Sequence, residues 1–333
     1  MRITRETLMK LAQDTASQRA RADLGILAVY LHGSLLEEEP LLGGTADIDL
    51  FIVHNDEPAV EREIVRISDE VHLDIIHHTR KLYRQTRELR LHPWLGPTLY
   101  GSKNLYDPQH FMDFTQASVR GQFNRPDQIL GRVQPQVEKA RQIWISLTSH
   151  QGGSDCEMVA SYLQAVGLVV NAIAGLSGKP LTERRLLLNF PQRAEAVGHA
   201  GLYPGLLGLL GGPMVDAPAI RAWLPGWRLA METIPSTQVP PRLSSPRLPY
   251  YFRAFDAVLD SEHPLGVLWP LLNTWTEAVS LLPGDSPANE PWKSAVTQLG
   301  LLGEAFPSRE AALDAYLDQV EELLENWARE NGA

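Results

Sequence analysis

Three aspartates in two apolar, strand-like runs constrain this chain more than any other feature of its sequence. Asp47 and Asp49 begin the run DIDLFIV, and Asp74 stands inside the run VHLDIIHH. Residues two apart in a strand share a face, so Asp47 and Asp49 are predicted to project into one space. Two carboxylates held that close repel each other, and one is pushed toward protonation unless a cation joins them. The spacing therefore favours hard divalent cations with oxygen ligands.

A Gly-Ser pair ends the apolar run that precedes these aspartates. Gly33 and Ser34 follow ILAVYLH, and a bounded loop separates them from Asp47. Glycine lets a backbone approach phosphate closely, and serine adds a hydroxyl donor. An isolated Asp-x-Asp pair is usually a turn or a solvated strand start, but the whole combination is more specific. It predicts metal-assisted attack on a nucleoside triphosphate.

These residues resemble the signature of the DNA polymerase β-type nucleotidyltransferase superfamily, which includes aminoglycoside adenylyltransferases and small antitoxin-type nucleotidyltransferases. The resemblance covers roughly residues 25–80 and is carried by Gly33, Ser34, Asp47, Asp49 and Asp74. It implies an α+β fold in which a short mixed β-sheet has flanking helices. It also implies that the first two acids hold Mg²⁺, and that the third acts as a metal ligand or general base.

The first part of the chain has the alternation of helix and strand that such a fold needs. Thr4 is predicted to cap a helix that ends near Ala22. Strands are predicted over 26–33, 47–53 and 71–77, a helix over 79–91, and a short edge strand over 104–108. The periodicity of VEREIVRISDE, which joins the second and third strands, does not decide between helix and strand.

From about residue 126 the apolar residues recur at helical spacing, which predicts a second domain. We predict a nucleotidyltransferase domain over 1–125 and an all-α helical bundle over 126–333 that binds the acceptor. A Pro- and Gly-rich region at about 211–249 is predicted as a long loop or clamp. Helical stretches are predicted over 127–149, 155–176, 181–199, 265–282 and 308–330.

The segment LQAVGLVVNAIAGLSGKPLTERRLLLNF resembles the helix–turn–helix of streptomycin/spectinomycin-type adenylyltransferases. The resemblance implies a turn at which Gly178 is a left-handed cap. Those enzymes place a lysine in the first turn of the new helix to contact nucleotide phosphates, but the aligned residue here is Glu183. Lys179, Arg184 or Arg185 could replace that lysine, or these residues could be ordinary solvated charges.

Composition limits the partners. The net charge of −10 disfavours a nucleic-acid substrate and attracts a cationic small molecule. The single cysteine, Cys156, excludes an intrachain disulfide and fits a reducing cytoplasm. The N-terminal sequence MRITRETLMK has no apolar core of the kind that signal peptides carry, and stretches such as LVVNAIAGL are too short to span a bilayer. We therefore expect a cytoplasmic protein without a membrane.

Three glutamates depart from the nucleotidyltransferase pattern. Glu37, Glu38 and Glu39 stand in the loop after the Gly-Ser pair, where many relatives carry a basic residue. Pointing inward, they would disfavour a triphosphate. Pointing outward, they could meet a cationic acceptor or form a plain solvated loop, which we favour.

Two other interpretations are weaker. His72, His77 and His78 flank Asp74 and suggest zinc, but neighbouring residues of a strand face opposite ways and cannot all converge on one ion. Four tryptophans could line an acceptor pocket, although large aromatics in a helical domain more often form its core. They are Trp223, Trp227, Trp269 and Trp275.

The expected activity is Mg²⁺-dependent transfer of a nucleoside monophosphate, AMP from ATP, to a hydroxyl of a small acceptor, with release of pyrophosphate. Asp47 and Asp49 would bridge two Mg²⁺ ions, Ser34 would hold phosphates, and Asp74 would accept the proton or bind the metal. Two alternatives stay open: a nucleotide-binding regulatory module without turnover, and an antitoxin-type enzyme that adenylylates a protein tyrosine. Acceptor, base preference and oligomeric state have no signal in the sequence.

Overall fold

The computed structural model describes residues 3–149, 153–235, 237 and 239–333. Over these residues the fold is α+β, with a five-stranded mixed sheet and thirteen α-helices. The chain forms two compact units. The first comprises the residues up to Gln128 together with Pro240–Ala257, and the second comprises Ile129–Val239 and Val258–Ala333. This division differs from the sequence-based one because Pro240–Ala257 belongs with the N-terminal part.

The sheet lies in the first unit. Its strands are β1 (Ile26–His32), β2 (Ala46–His54), β3 (Arg62–Arg66), β4 (Val71–Thr79) and β5 (Lys103–Tyr106). Their order is β3-β4-β2-β1-β5, with β2 parallel to β4 and the other three neighbouring pairs antiparallel. The predicted strands 26–33, 47–53 and 71–77 and the edge strand at 104–108 are confirmed. The undecided connection before β4 contains β3.

Alternation along β2 places apolar residues on one face and, on the other, two aspartates followed by the apolar Phe51 and Val53. Ile48, Leu50 and Ile52 pack in a core that also contains residues of helix α1 (Arg5–Ala22). Thr4 caps α1 as predicted, because its hydroxyl accepts a hydrogen bond from the amide of Thr7. Asp47 and Asp49 stand at the alternate positions and so project from the other face of the sheet.

The predicted helix over 79–91 is correct only for its last six residues. Strand β4 continues to Thr79, a 3₁₀ turn covers Arg80–Tyr83, and helix α2 occupies only Thr86–Leu91. Tyr83 is buried in this turn, and its hydroxyl lies 2.8 Å from that of Tyr30 inside the core. Helices α3 (Leu95–Gly101) and α4 (Phe111–Arg120) contribute to this same core.

The second unit is helical, and the five predicted helical stretches are confirmed as to type. Helix α5 (Pro126–Ser149) begins just before the boundary between the units, and α10 (Leu248–Leu259) ends just after the later one. The remaining helices are α6 (Asp155–Ser177), α7 (Leu186–Ala196), α8 (Leu202–Leu209), α9 (Ala217–Thr233), α11 (Leu268–Ser280), α12 (Asn289–Gln298) and α13 (Phe306–Asn331).

The prediction of a long loop over 211–249 is wrong for residues 217–233, which form α9. Asp216 caps this helix by accepting from the amide of Ala219 at 2.9 Å. Ile220, Leu224 and Trp227 then bury one face at helical spacing. Pro225 inside the helix disguised this periodicity, because proline usually ends a helix.

The core of the second unit contains most of its tryptophans. Trp227, Trp269 and Trp275 are buried, which confirms the core interpretation for these three, whereas Trp223 is partly exposed. Among the described helices, α6 is long and apolar enough to cross a membrane, but 67% of its most apolar window is buried inside the protein. A buried core helix passes the same test, so this is weak evidence for a membrane span.

Gly178 follows α6 but is not the predicted left-handed cap, since its φ of 172° is extended backbone. The absence of a side chain at Gly178 leaves room for a neighbouring guanidinium group. A Cβ there would lie 1.9 Å from Nη1 of Arg193, and that nitrogen donates to the carbonyl of Ser177 at 3.2 Å. A larger residue at this position would displace the Arg193 guanidinium from this contact.

Stability of the first unit is expected to fall when the pH drops below about 6.5. Nδ1 of His78 lies 2.6 Å from the Tyr83 hydroxyl, and burial lowers the pKa of His78 to about 4. Between these two pH values the unfolded chain binds a proton that the folded chain does not. His78 therefore lowers the free energy of unfolding by up to about 3 kcal/mol. In urea titrations from pH 8 to pH 4, His78→Gln should lack this contribution. A constant difference between variant and wild type would contradict it.

Candidate active site

The sheet brings the three aspartates together. Asp49 and Asp74 are register partners on the parallel strands β2 and β4, and Asp47 stands opposite His72 one repeat earlier. Asp47 and Asp74 are buried, and Asp49 is partly exposed. All three project from the face opposite to the core of α1, so the sheet forms one acidic cluster.

Asp49 has the most perturbed carboxyl group of the cluster. Removal from solvent by the surrounding protein, followed by repulsion from Asp47 and Asp74, raises the pKa of Asp49 to about 8. Although the side chain keeps partial solvent contact, its carboxyl group is therefore mostly protonated at neutral pH. Close carboxylates respond in this way to burial and mutual repulsion.

Arg62 on β3 binds the third acid of the cluster. Its Nε donates to Oδ1 of Asp74 at 2.7 Å and its Nη2 donates to Oδ2 at 2.5 Å. This two-pronged geometry is the strongest form of an arginine–carboxylate contact. Arg62 thus contacts both oxygens of Asp74 and neutralises its charge.

Arg247 enters the cluster from the segment Pro240–Ala257, 200 residues after Asp47. Its Nη2 donates to Oδ2 of Asp47, and its Nη1 donates to Oδ2 of Asp74 at 3.3 Å. The guanidinium lies 4.9 Å from the ring of Tyr250, and only 4% of Arg247 is exposed. The cluster thus holds three acids and two guanidinium groups.

The three histidines near Asp74 have separate partners. His72 is buried and its Nε2 donates to the carbonyl of Pro246 at 3.0 Å. Nε2 of His77 lies 3.0 Å from Oε1 of Glu63, and its Nδ1 lies 2.9 Å from Nε2 of His54. His78 forms a hydrogen bond with the Tyr83 hydroxyl. The histidines do not converge, in agreement with the low weight of the zinc interpretation.

The Gly-Ser pair lies against the acids. Gly33 has a φ of 86°, and a Cβ there would lie 1.8 Å from Oδ2 of Asp49. Only glycine can therefore stand between the end of β1 and this carboxylate. Ser34 begins a 3₁₀ turn, and its partly exposed hydroxyl makes no hydrogen bond to the described residues. That hydroxyl is available to a ligand.

The remaining predicted site residues lie outside the strands that carry the three aspartates. Glu37, Glu38 and Glu39 are exposed, as a solvated loop requires. Lys179 follows α6, and Arg184 and Arg185 lie in a 3₁₀ turn before α7, all within the second unit. Their contact with phosphates stays a prediction.

The chemistry of the donors fits a divalent cation, whereas their arrangement does not hold one. Three carboxylates supply hard oxygen ligands, and Oδ1 of Asp47 is buried without a hydrogen-bond partner in the described chain. Yet within residues 3–149, 153–235, 237 and 239–333, no three His, Cys, Asp or Glu side chains are grouped so as to bind a metal. Arg62 and Arg247 neutralise the acids instead.

Sequence reasoning missed both arginines. Arg62 falls in the undecided connection, and a strand there would have placed its side chain beside Asp74, since Ile64 pairs with Asp74 in the antiparallel register. Arg247 has no local signal, because it stands in the Pro-rich stretch SSPRLP and reaches the cluster only through the tertiary fold.

Comparison of the chain with protein-family models and with curated proteins gives no significant match. Its activity must therefore be inferred from the residues and their geometry. The observations available for that inference are the acidic cluster, the glycine packed against it, and the two arginines that bind it.

Proposed function

We propose that this protein is a Mg²⁺-dependent nucleotidyltransferase of the DNA polymerase β type. It transfers AMP from ATP to a hydroxyl of a small, cationic acceptor and releases pyrophosphate. In this proposal the first unit is the nucleotidyltransferase domain and the helical second unit binds the acceptor. The chain belongs to the cytoplasm and needs neither nucleic acid nor membrane.

One observation carries the proposal. Asp49 and Asp74 stand side by side on parallel strands, Asp47 shares their face, and a glycine in the left-handed region is packed against Asp49. A buried cluster of like charges is costly to fold, and structural cores do not need one. Such carboxylates are typical of a site at which charge is bound and moved.

The side chains can be given distinct tasks. Asp47 and Asp49 would hold Mg²⁺, which when bound supplies positive charge to the phosphate oxygens. The Ser34 hydroxyl would donate to a phosphate oxygen. Asp74, whose two oxygens Arg62 contacts, would receive the acceptor's proton or complete the metal site.

A second candidate is a regulatory module that binds nucleotide without turnover. The ion pairs of Arg62 and Arg247 favour it, since these side chains of the chain itself neutralise Asp74 and Asp47. In this candidate the arginines are permanent, and nucleotide binds through the Gly-Ser turn alone.

Thermal stability with each of the four nucleoside triphosphates, with and without Mg²⁺, tests the proposal. A ligand at a hundredfold excess over its dissociation constant stabilises by about 2.7 kcal/mol. We expect one nucleotide, ATP, to raise the melting temperature only with Mg²⁺, and Asp47→Asn to lose the effect. Asp56→Asn, an exposed acid of the same unit, is the control.

The outcomes separate the candidates. A Mg²⁺-dependent shift followed by pyrophosphate release with an acceptor supports the transferase. A shift that needs no Mg²⁺ and survives Asp47→Asn favours the regulatory module. No shift with any nucleotide contradicts both.

A further inference from the structure

The segment Pro240–Ala257, here called the Arg247 segment, contacts the rest of the first unit at several places. Besides the two ion pairs of Arg247, His72 binds the carbonyl of Pro246, and Arg253 pairs with Glu70 at 2.8 Å. Gly43 lies so close to Arg253 that a Cβ would be 2.1 Å from the Arg253 carbonyl oxygen. The segment therefore has a shaped seat on this unit.

The positive charge of Arg247 opposes the binding of a divalent cation to the same carboxylates. Its guanidinium bridges Asp47 and Asp74, two of the three acids that would bind Mg²⁺. A divalent ion held by the same oxygens would stand beside a buried guanidinium, with little solvent to screen the repulsion. The two cations therefore compete for Oδ2 of Asp47 and Oδ2 of Asp74.

The pairing is also incomplete. Among the described residues, Oδ1 of Asp47, Nε of Arg247 and Nδ1 of His72 are buried without a hydrogen-bond partner. Each such group carries a desolvation cost that a permanent structural ion pair normally avoids. Orphaned polar atoms on both sides of one contact are typical of a site that also serves another ligand.

We propose that the Arg247 segment is a built-in competitor for the divalent cation, and that Arg247 must withdraw from Asp47 and Asp74 before a metal-bound nucleotide can enter. The inference rests on the proposed function for the identity of the cation. It adds that the resting protein is autoinhibited, and that affinity for metal is set by how firmly the segment is seated.

Binding of Mn²⁺ to the full chain, followed by calorimetry and by the electron paramagnetic resonance of the free ion, tests the proposal. Arg247→Met removes the charge and keeps much of the side-chain volume. We expect this variant to bind Mn²⁺ at least tenfold more tightly than the wild type. Mn²⁺ affinity that is equal in the two proteins would overturn the proposal while leaving the metal site in place.

A second pair of variants keeps the test decisive if Arg247→Met does not fold. Gly43→Ala pushes against the backbone at Arg253, whereas Gly44→Ala has the same left-handed backbone with nothing within 4 Å of the added atom. Mn²⁺ affinity should rise in Gly43→Ala and stay unchanged in Gly44→Ala. Equal affinity in both overturns the proposal.

Hydrogen exchange distinguishes failure of this proposal from failure of the proposed function. Mn²⁺ with a non-hydrolysable ATP analogue should speed amide exchange in Pro240–Ala257 of the wild type. Exchange that stays slow while the cation binds rejects the competition but not the transferase. Absence of Mn²⁺ binding in every variant rejects the metal site, and with it both proposals.

Discussion

Asp49→Asn is expected to abolish nucleotidyl transfer and at the same time to stabilise the metal-free protein. Asparagine removes the charge of a proposed metal ligand, and the loss of several kcal/mol of transition-state stabilisation corresponds to at least a hundredfold slower turnover. The carboxyl group of Asp49 nevertheless costs the folded state free energy at neutral pH. Function and stability therefore respond to this substitution with opposite sign.

The sign of the stability effect follows from the pKa. The pKa of Asp49 is raised from its ordinary 3.8 to about 8 in the folded protein. Its contribution to stability is present below pH 3.8 and is lost as the pH rises toward 8, because the unfolded chain releases the proton first. At pH 7 the neutral variant should gain as much as about 4 kcal/mol in the free energy of unfolding.

Urea denaturation in the presence of a chelator, at pH 5 and pH 7, measures this gain. Asp47→Asn is the matched comparison: it also removes a proposed ligand, but it breaks a buried ion pair with Arg247 and should destabilise. If Asp49→Asn were as destabilising as Asp47→Asn, the repulsion within the acidic cluster would be refuted. Turnover close to wild type in either variant would refute the assigned site.

Gly33→Ala is expected to destabilise the protein and to disrupt the candidate site, although it replaces none of the three aspartates. The added methyl group would lie 1.8 Å from Oδ2 and 2.8 Å from Cγ of Asp49, at a backbone φ of 86°. This backbone conformation, with a ψ of −162°, is essentially confined to glycine and costs about 1–3 kcal/mol for a residue with a Cβ. The overlap adds strain of about 1–3 kcal/mol, or else displaces the Asp49 carboxyl group.

Gly44→Ala separates the two contributions, because Gly44 has a φ of 71° and open space around the added atom. Chemical denaturation should show a larger loss for Gly33→Ala than for Gly44→Ala, and thermal shifts should show loss of the nucleotide response only in Gly33→Ala. Equal losses with an intact nucleotide response would mean that the packing of Gly33 on Asp49 has no functional role.

The acidic cluster could be predicted because its determinants are local. Alternation of apolar and polar residues in DIDLFIV and VHLDIIHH decides both the strands and the face that each aspartate occupies. The glycine before Ser34 was also informative, since few residues other than glycine suit a turn that presses on a neighbouring side chain.

The failures have equally definite causes. Helix α9 was not predicted because Pro225 and the surrounding Pro-rich sequence disfavour a helix. Burial of Ile220, Leu224 and Trp227 on one face stabilises the helix in spite of these prolines. The helix predicted over 79–91 begins only at Thr86, after a 3₁₀ turn that contains Tyr83. The contact between the hydroxyls of Tyr30 and Tyr83 has no local pattern in the sequence. The role of Arg247 depends on a contact across 200 residues, which neither periodicity nor spacing can report.

The late position of Arg247 in the chain has a consequence for synthesis on the ribosome. Asp47 and Arg247 are 200 residues apart, and translation at about 5–20 residues per second separates their appearance by roughly 10–40 s. During that interval the N-terminal sheet can form with only Arg62 to neutralise its three acids. Completion of the first unit thus waits for a segment made after most of the second, and folding of this protein cannot proceed strictly from the N-terminus to the C-terminus.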